Sequence, residues 1–204
     1  MSSPTLILAS SSKYRRSLLE RAGFAAKCIA PDIDETPVSG ESPEACALRL
    51  SVEKAAAIAK DHPNDVVIGS DQVAALGDAM LGKPGDFESA REQLTAQSGQ
   101  TVLFHTGLCV RLGQQQLTCI ETTCVRFRTL SELEIKRYLE KEQPFDCAGS
   151  FKCEGMGVLL FERITSRDPN TLIGLPTMLL HNMLDRHFNI DLLDLATQQR
   201  WACQ

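Results

Sequence analysis

The sequence predicts an α/β protein with two lobes on a mixed, strongly twisted sheet and a central cleft between the lobes. Two observations lead to this fold class. Apolar, β-branched runs alternate with segments of helical period, which favours a sheet covered by helices. Connections of hairpin length interrupt the alternation, so antiparallel pairs should accompany parallel ones. A chain of 204 residues can bury a sizeable core, and we expect residues 1–204 to form one domain.

The first part of the chain alternates strands and helices. The predicted elements are a strand over 5–9, a helix over about 13–22, a strand over 25–30 and a helix from Ser42 to about Lys60. Leu18, Leu19 and Ala22 give the first helix an apolar stripe, and Gly23 ends it. Ser42 is suited to N-cap the long helix, because Pro43 then occupies the first helical position, where proline is favoured.

The next stretch, Val66 to Val73, is the most informative. Val66-Val67-Ile68-Gly69 leads directly into Ser70-Asp71, which predicts a buried strand that brings a carboxylate to its end. Ligands of α/β proteins collect at the carboxyl ends of strands, so Asp71 is well placed for chemistry. From this segment alone, an aspartate that only caps a turn explains the same residues.

The remaining part of the chain is predicted to mix hairpins with helices. The predicted elements are a hairpin through Gly77-Asp78, a helix near 86–97, strands over about 101–112 and 116–128, a helix to about Lys141, a strand near 157–164 and a helix near 176–187. The polar residues 113–116 form the turn between the two long strands. Ser131-Glu132-Leu133-Glu134 is a capping-box pattern that opens the predicted helix to about Lys141.

The composition argues against several classes of protein. A net charge of −5 does not suit a nucleic-acid or acidic-membrane binder, because a phosphate backbone requires a basic surface. The N-terminal apolar run is too short for a signal peptide, and its basic residues follow it. No segment approaches the roughly 20 apolar residues that span a bilayer. We therefore expect a cytoplasmic protein with no nucleic-acid or membrane partner, although a small phosphorylated ligand remains compatible.

The eight cysteines do not form a zinc or disulfide pattern. They include no C-x2-C pair and no accompanying histidine cluster. Several lie in apolar, strand-like runs, where cysteine behaves as a small hydrophobic residue. We expect reduced, structural or incidental thiols.

Five further segments carry groups suited to phosphate or metal. They are Ser10 to Arg16 before the first helix, the acidic turn Asp34-Glu35, Lys54 on the long helix, Gly82-Lys83-Pro84, and the loop Ala148 to Gly157 with Lys152 and Glu154. Free N–H groups at a helix N-terminus attract anions, and carboxylates are the usual protein ligands of magnesium. Each segment alone also has a plain structural explanation as a cap, a solvated face or a loop. Together with Asp71 they indicate a polyphosphate ligand with a divalent metal.

The same segments carry a resemblance to a known family. The whole chain resembles the Maf family of nucleoside-triphosphate pyrophosphatases, whose fold is related to the inosine-triphosphate pyrophosphatases. The matching pieces are LILASSSKYRRSLLERAGF, DETP, LRLSVEKA, VIGSDQVA, GKP, SGQTVLFHTGL, FRTLSELEI, AGSFKCEG and DPNTLIGLP, in order within residues 5–180. Two departures from the family pattern are Lys13, where proline is common, and Cys153, in place of a small polar residue.

The resemblance implies roles for individual residues. Asp71 would be the general base that activates water, and Glu35 with Asp71 would hold a divalent cation, Mg²⁺ or Mn²⁺. The residues implied in triphosphate binding are Ser10, Arg15, Lys54, Lys83 and Lys152. The resemblance also allows a homodimer.

Substrate choice is implied at three positions, Tyr14, Gln72 and Glu154. This combination resembles the subgroup that acts on 7-methyl-GTP, whereas the dTTP/UTP subgroup has Arg, Thr and Gln there. A 7-methylguanine base carries a delocalised positive charge, which favours an aromatic face by about 0.5–2 kcal/mol and a nearby carboxylate. The expected reaction releases 7-methyl-GMP and pyrophosphate. Two alternatives stay open: the same chemistry on dTTP, UTP or another non-canonical triphosphate, and a non-catalytic nucleotide-binding regulator of cell division.

Overall fold

The computed structural model describes residues 5–24 and 26–198. Seven strands and six α-helices lie in these ranges: β1 (Leu6–Ala9), α1 (Lys13–Arg21), β2 (Lys27–Ile29), α2 (Pro43–Ala59), β3 (Val66–Leu76), β4 (Ala79–Leu81), α3 (Phe87–Gln97), β5 (Thr101–Leu112), β6 (Gln115–Phe127), α4 (Glu132–Glu142), β7 (Phe161–Thr165), α5 (Thr177–Phe188) and α6 (Leu192–Gln198). Three short 3-10 helices cover Ala148–Ser150, Met156–Leu160 and Thr171–Ile173. Among the described residues, no helix combines the length and the apolar character needed to cross a bilayer.

The sheet is mixed, as predicted. Its strand order is β2-β1-β3-β5-β6-β7, and β4 pairs with the far end of β3. The pairs β1–β2 and β1–β3 are parallel, whereas β3–β4, β3–β5, β5–β6 and β6–β7 are antiparallel. The parallel strands come from the first part of the chain and the hairpins from the second, which confirms the α/β fold class.

The cleft arises because two neighbours of β3 leave part of its edge unpaired. Both β1 and β4 pair with the edge of β3 that lies opposite β5. The β1 pairing extends only as far as Ala9 opposite Gly69, and the β4 pairing begins opposite Ala74. Within the described ranges, no strand pairs with residues 70–73 on this side, although β5 continues on the other. The prediction that Asp71 ends its strand is wrong: it lies in the middle of β3, and it is β1 that stops beside it.

Helix α2 packs unusually close to one face of the sheet. A Cβ on Gly69 would overlap the backbone carbonyl of Ser51, and one on Gly107 would overlap that of Ala47. Glycine therefore permits the close approach of α2 to β3 and β5. Successive side chains of a strand alternate in direction, so Asp71 faces α2 like Gly69 does.

The core has two main parts that correspond to the two predicted lobes. One cluster lies between the strands and helices α1 and α5, with Leu19, Ile68 and Leu180 fully buried. The other lies between helices α3 and α4 and the sheet, where it contacts the first half of β5 and the second half of β6. Phe104 and Phe127 are at its centre. The long strands β3, β5 and β6 connect the lobes, so the cleft has a continuous sheet as its floor.

The predicted caps and turns agree with the structure. The Ser42 side chain accepts a hydrogen bond from the amide of Ala45, with Pro43 at the start of α2. Both hydrogen bonds of the Ser131–Glu134 capping box are present at the start of α4. Gly77 has a positive φ of 60° at the β3–β4 turn, which non-glycine residues adopt rarely.

Besides the position of Asp71, the predicted elements differ from the structure in three places. The predicted strand 157–164 begins only at Phe161, because Met156–Leu160 forms a 3-10 helix that leaves Val158 and Leu159 exposed. The predicted strand 25–30 is shorter, Lys27–Ile29, and Ala25 lies outside the described residues. Helix α6 has no counterpart in the predicted elements.

Candidate active site

A cleft of about 610 Å³ opens over the unpaired part of β3. Nearly all the predicted site residues line it: Ser10, Tyr14, Arg15, Glu35, Lys54, Asp71, Gln72, Lys83 and Glu154. We call the part lined by Ser10, Arg15, Glu35, Lys54, Asp71 and Lys83 the cationic end. We call the part lined by Lys13, Tyr14, Asp146, Cys147, Cys153 and Glu154 the aromatic end.

At the cationic end, one lysine joins the two predicted metal-binding carboxylates. Lys54 Nζ lies 2.5 Å from Asp71 Oδ1 and 2.9 Å from Glu35 Oε1. Lys54 is 5% exposed and Asp71 8% exposed, so their pairing compensates the cost of burying both charges. Within the described ranges, no donor reaches Asp71 Oδ2. One carboxylate oxygen is thus held, and the other can accept a proton.

The pKa of Glu35 reflects the same arrangement. Partial burial acts to raise it, but the hydrogen bond and charge of Lys54, with the charges of Lys83 and Arg15, lower it on balance. Glu35 is therefore ionised at neutral pH although the carboxylate of Asp71 shares its lysine.

Ser10 in the β1–α1 connection and Arg15 in the first turn of α1 complete the cationic end. Ser10 Oγ accepts hydrogen bonds from the Ser12 amide at 3.1 Å and from Arg15 Nη1 at 3.4 Å. Arg15 Nε donates to the Gly174 carbonyl at 2.8 Å, which orients the guanidinium. Burial lowers the pKa of Arg15, and the charges of Asp71 and Glu35 oppose that shift. An arginine stays protonated throughout the neutral range, so this group supplies a permanent charge.

The position of Glu35 depends on a second ion pair that the sequence patterns did not single out. Arg49 on α2 binds both carboxylate oxygens of Glu41, with Nε at 2.7 Å from Oε1 and Nη2 at 2.8 Å from Oε2. Arg49 Nη2 also donates to the Thr36 carbonyl, beside Glu35. This pair fastens the acidic turn to α2. Its spacing, eight residues across a turn, is not a helical pattern, so no local signal identifies it.

The aromatic end combines a phenol, two carboxylates and two thiols. The Tyr14 hydroxyl donates to Asp146 Oδ2 at 3.4 Å and accepts from Cys147 Sγ at 3.6 Å. Burial raises the pKa of Tyr14, and Cys147, Asp146 and Glu154 raise it further. Two negative charges thus lie near one aromatic ring. Asp146 and Cys147 immediately precede the loop singled out in the sequence and were missed.

Gln72 has a fixed amide orientation. Its Nε2 donates to Thr106 Oγ1 and to the Thr171 carbonyl, both at 2.9 Å. The Leu172 carbonyl is a third acceptor at 3.3 Å. Because carbonyl oxygens can only accept, the amide nitrogen must face them, and Oε1 is left as the acceptor that Gln72 offers. The loop before α5 therefore sets the polarity that this side chain presents.

Lys152 is the one predicted site residue that the structure does not bring to the cleft lining. Its Nζ donates to the carbonyl oxygens of Glu142 at 2.9 Å and Gln143 at 3.4 Å, at the C-terminus of α4. A lysine is stabilised there because the last helical carbonyls lack intrahelical partners and carry partial negative charge. In this position Lys152 fastens the loop that carries Glu154. The predicted triphosphate contact stays a prediction.

The donor set suits a divalent cation shared with a ligand. The described residues contain no group of three or more His, Cys, Asp and Glu side chains that could hold a metal alone. Mg²⁺ usually binds one or two carboxylates and completes its shell with water and substrate phosphates. Glu35 and Asp71, which face each other across Lys54, fit that requirement.

The thiols agree with the prediction of reduced cysteines. All seven cysteines among the described residues are free, and Cys203 lies outside those residues. Burial raises the pKa of Cys147 to about 11 and that of Cys153 to about 12. Both thiols in the cleft are thus protonated at neutral pH and are poor nucleophiles.

Comparisons with known proteins agree with this architecture. The chain is 52% identical over 184 residues to the 7-methyl-GTP pyrophosphatase of Cupriavidus pinatubonensis, covering 89% of this chain and 92% of that one. It is 50% identical over 184 residues to the protein of the same name from Alcanivorax borkumensis, with 89% and 93% covered. The solved structure of the Staphylococcus aureus Ham1 protein covers 89% of this chain and 98% of its own, with a TM-score of 0.51 and 15% identity. At that identity the likeness concerns the fold alone, and it confirms the predicted fold class.

The family follows from the extent of the match. Residues 5–187, which hold all the segments that line the cleft, match the family described as Maf-like protein. This range includes β1, where the cleft begins, and all but the last residue of α5, which follows the loop that orients Gln72 and Arg15. The chain belongs to the Maf family.

Proposed function

We propose that this protein hydrolyses 7-methyl-GTP to 7-methyl-GMP and pyrophosphate. The chain is a pyrophosphatase of the Maf family, and relatives about half identical over nine-tenths of it are named 7-methyl-GTP pyrophosphatase. The observation that carries the proposal is the position of Asp71, which Lys54 holds at the cationic end of a cleft whose other end is aromatic.

The proposed chemistry begins at Asp71. Water attacks the α-phosphorus, Asp71 accepts its proton at the unpaired Oδ2, and the bond from the α-phosphorus to the bridging oxygen breaks. Lys54 holds Oδ1, so the carboxylate keeps its orientation during proton transfer. The products are the monophosphate and pyrophosphate, and the proton leaves Asp71 to solvent.

The cationic end supports stabilisation of the leaving pyrophosphate. Arg15, Lys54 and Lys83 line it, and cations fixed where negative charge develops lower the barrier without reorganisation. Glu35 and Asp71 would hold a divalent cation, Mg²⁺ or Mn²⁺, which supplies further charge neutralisation on the phosphates when bound.

The aromatic end supports recognition of a cationic base. The Tyr14 ring can attract a delocalised positive charge, and Glu154 adds a carboxylate. The Gln72 Oε1 can accept a hydrogen bond from an N–H on the base edge. Guanine offers such donors on its N1–N2 edge.

A panel of nucleoside triphosphates tests the proposal. We expect magnesium- or manganese-supported release of pyrophosphate from 7-methyl-GTP at a higher kcat/KM than from GTP, dTTP, UTP or inosine triphosphate. Product identification by chromatography distinguishes pyrophosphate from stepwise phosphate release. A preference for dTTP or UTP would contradict the proposed substrate but leave the proposed reaction unchanged. Binding without any hydrolysis would favour a nucleotide-sensing regulator instead.

A further inference from the structure

A lysine side chain lies against the Tyr14 ring at the mouth of the aromatic end. Lys13 is the first residue of α1, and its Nζ lies 5.0 Å from the centroid of the Tyr14 ring. The same ammonium lies 3.2 Å from Asp146 Oδ2, the oxygen that accepts the Tyr14 hydroxyl hydrogen bond. An aromatic face and a carboxylate thus enclose one positive charge.

The charge balance explains this arrangement. Asp146 and Glu154 both lie close enough to Tyr14 to raise its pKa. Burial acts to raise the pKa of Asp146, but Lys13 and the Cys147 thiol lower it on balance, so this carboxylate is ionised. Among the described residues that define the aromatic end, Lys13 is the only cation. This end of the cleft therefore carries a net negative charge that one lysine only partly neutralises.

The lysine is held weakly enough to be exchanged. The Lys13 side chain is 70% exposed and that of Asp146 52% exposed. Exposed ion pairs are screened by water and contribute little to stability, so a competing cation can replace the ammonium at small cost. A delocalised cationic ring has a further advantage over ammonium, because it is less strongly hydrated and presents a flat face to the tyrosine.

We propose that Asp146 is a further specificity-determining residue, which binds the positive charge of the methylated base together with Tyr14, and that Lys13 is an internal competitor displaced by that base. This inference rests on the proposed function. A neutral guanine gains nothing from Asp146 and leaves the lysine in place, whereas a 7-methylguanine displaces Lys13 and replaces one cation by another. Discrimination between the two bases then depends on a residue pair outside Tyr14, Gln72 and Glu154.

Substitutions of Asp146 and Lys13 should shift the selectivity for the methylated base in opposite directions. In Asp146→Asn, we expect the ratio of GMP to 7-methyl-GMP dissociation constants to fall about tenfold, the size of a hydrogen bond to a charged group. In Lys13→Met, which keeps the apolar stem, we expect the same ratio to rise about threefold, because the competing charge is absent. Titration calorimetry with the two monophosphates measures both constants without hydrolysis. The kcat/KM ratio for 7-methyl-GTP and GTP should follow the same order.

Matched variants control for general effects. Lys136 and Glu140 form an exposed pair on α4, away from the cleft lining, so Lys136→Met and Glu140→Gln should leave the ratio unchanged. Thermal unfolding of each variant verifies that the fold is retained. A loss of structure would lower the affinity for both nucleotides alike, whereas the inference requires that the ratio moves.

Three results would overturn the inference. They are equal affinity of the unsubstituted protein for the two monophosphates, an unchanged ratio in Asp146→Asn, and a ratio that moves in the same direction in both variants. Failure of the proposed function is a separate result, because it appears as absent hydrolysis of 7-methyl-GTP even where 7-methyl-GMP binds selectively.

Discussion

The two ends of the cleft differ in the structure that carries their central charged groups, although the cationic end also includes residues on connections, namely Ser10, Glu35 and Lys83. At the cationic end, Lys54 lies on α2 and Asp71 on β3, and both are almost fully buried in a tightly packed contact between helix and sheet. At the aromatic end, Lys13 and Tyr14 begin α1, but the carboxylates of Asp146 and Glu154 lie on connections outside the strands and α-helices, and the Asp146 side chain is half exposed.

In the proposed function, this difference separates reaction chemistry from substrate choice. Groups that move protons and neutralise phosphates must keep their geometry, which regular elements with locked side chains provide. Loops tolerate changes of sequence without disturbing the core, so they suit the groups that recognise a base. The comparison implies that changes at the cationic end affect all substrates alike, whereas changes at the aromatic end alter the ratio between substrates.

The largest expected effect is at Asp71. Asp71→Asn keeps the shape of the side chain but removes its ability to accept a proton, so kcat should fall about 10²–10⁴-fold for every triphosphate. Steady-state pyrophosphate release measures this effect, and circular dichroism verifies the fold. Asp78→Asn in the exposed β3–β4 turn is the control and should keep the normal rate. An Asp71→Asn protein with near-normal turnover would remove Asp71 from the mechanism.

A substitution of Glu154 tests whether the aromatic end determines the choice of substrate. Glu154→Gln preserves size and removes one negative charge from the aromatic end, so we expect kcat/KM for 7-methyl-GTP to fall about tenfold while that for GTP changes little. Glu162→Gln, on β7 and outside the cleft lining, serves as the matched control. An equal loss on both substrates would contradict a role in base recognition.

The Arg49–Glu41 pair predicts a pH dependence of stability. The hydrogen bond from Arg49 is the main cause that lowers the pKa of Glu41, to about 2, against an ordinary value of about 4.3. Because the folded pKa lies below the unfolded one, the pair stabilises the fold above about pH 5, and this contribution disappears as the pH falls toward 2.

Chemical denaturation at several pH values measures this contribution. At neutral pH, Glu41→Gln should lower the free energy of unfolding by about 1 kcal/mol, and the difference from the original protein should shrink in acid. Glu53→Gln, which loses only the weaker i,i+4 contact with Arg49, is the control. A difference that stays constant with pH would exclude the ionised pair as its cause.

The smallest expected effect is at Lys152. It tests directly whether this lysine belongs to the aromatic end or contacts the triphosphate. If Lys152 only fastens the Glu154 loop to α4, Lys152→Met should reduce selectivity for 7-methyl-GTP about threefold, the size of a helix C-terminal charge interaction. Inhibition by free pyrophosphate should then be unchanged. Weaker inhibition by pyrophosphate would instead support the triphosphate contact that the family resemblance implies.

Local features of the fold were predicted well because they depend on neighbouring residues. The Ser42-Pro43 start of α2 and the Ser131–Glu134 box use hydrogen bonds within one helical turn, so their residues suffice to identify them. The strand 157–164 was predicted too long for a related reason. Its apolar residues satisfy a strand pattern, but the fold-back of Gly157 onto the Lys152 carbonyl, which leaves no room for a Cβ, is a contact that the pattern does not contain.

Most of the residues singled out in the sequence line the cleft, but their arrangement could not be predicted. Lys54 on its own resembles a solvated lysine of a helix face, yet glycines at 69 and 107 allow α2 to approach until that lysine reaches Asp71. The residues around Lys152 do not reveal that its ammonium binds α4, because the accepting carbonyl belongs to a helix end ten residues earlier.

Patterns in the sequence identify the alternation of strands and helices, their caps, and the cations, carboxylates and tyrosine that a nucleotide site requires. These follow from periodicity and side-chain chemistry, which act over a few residues. The cleft beside Asp71 becomes evident in the folded chain alone, because its opening depends on where β1 stops and β4 starts along their shared neighbour β3. Strand pairing is a property of distant segments, and the cleft that joins the cationic and aromatic ends follows from it.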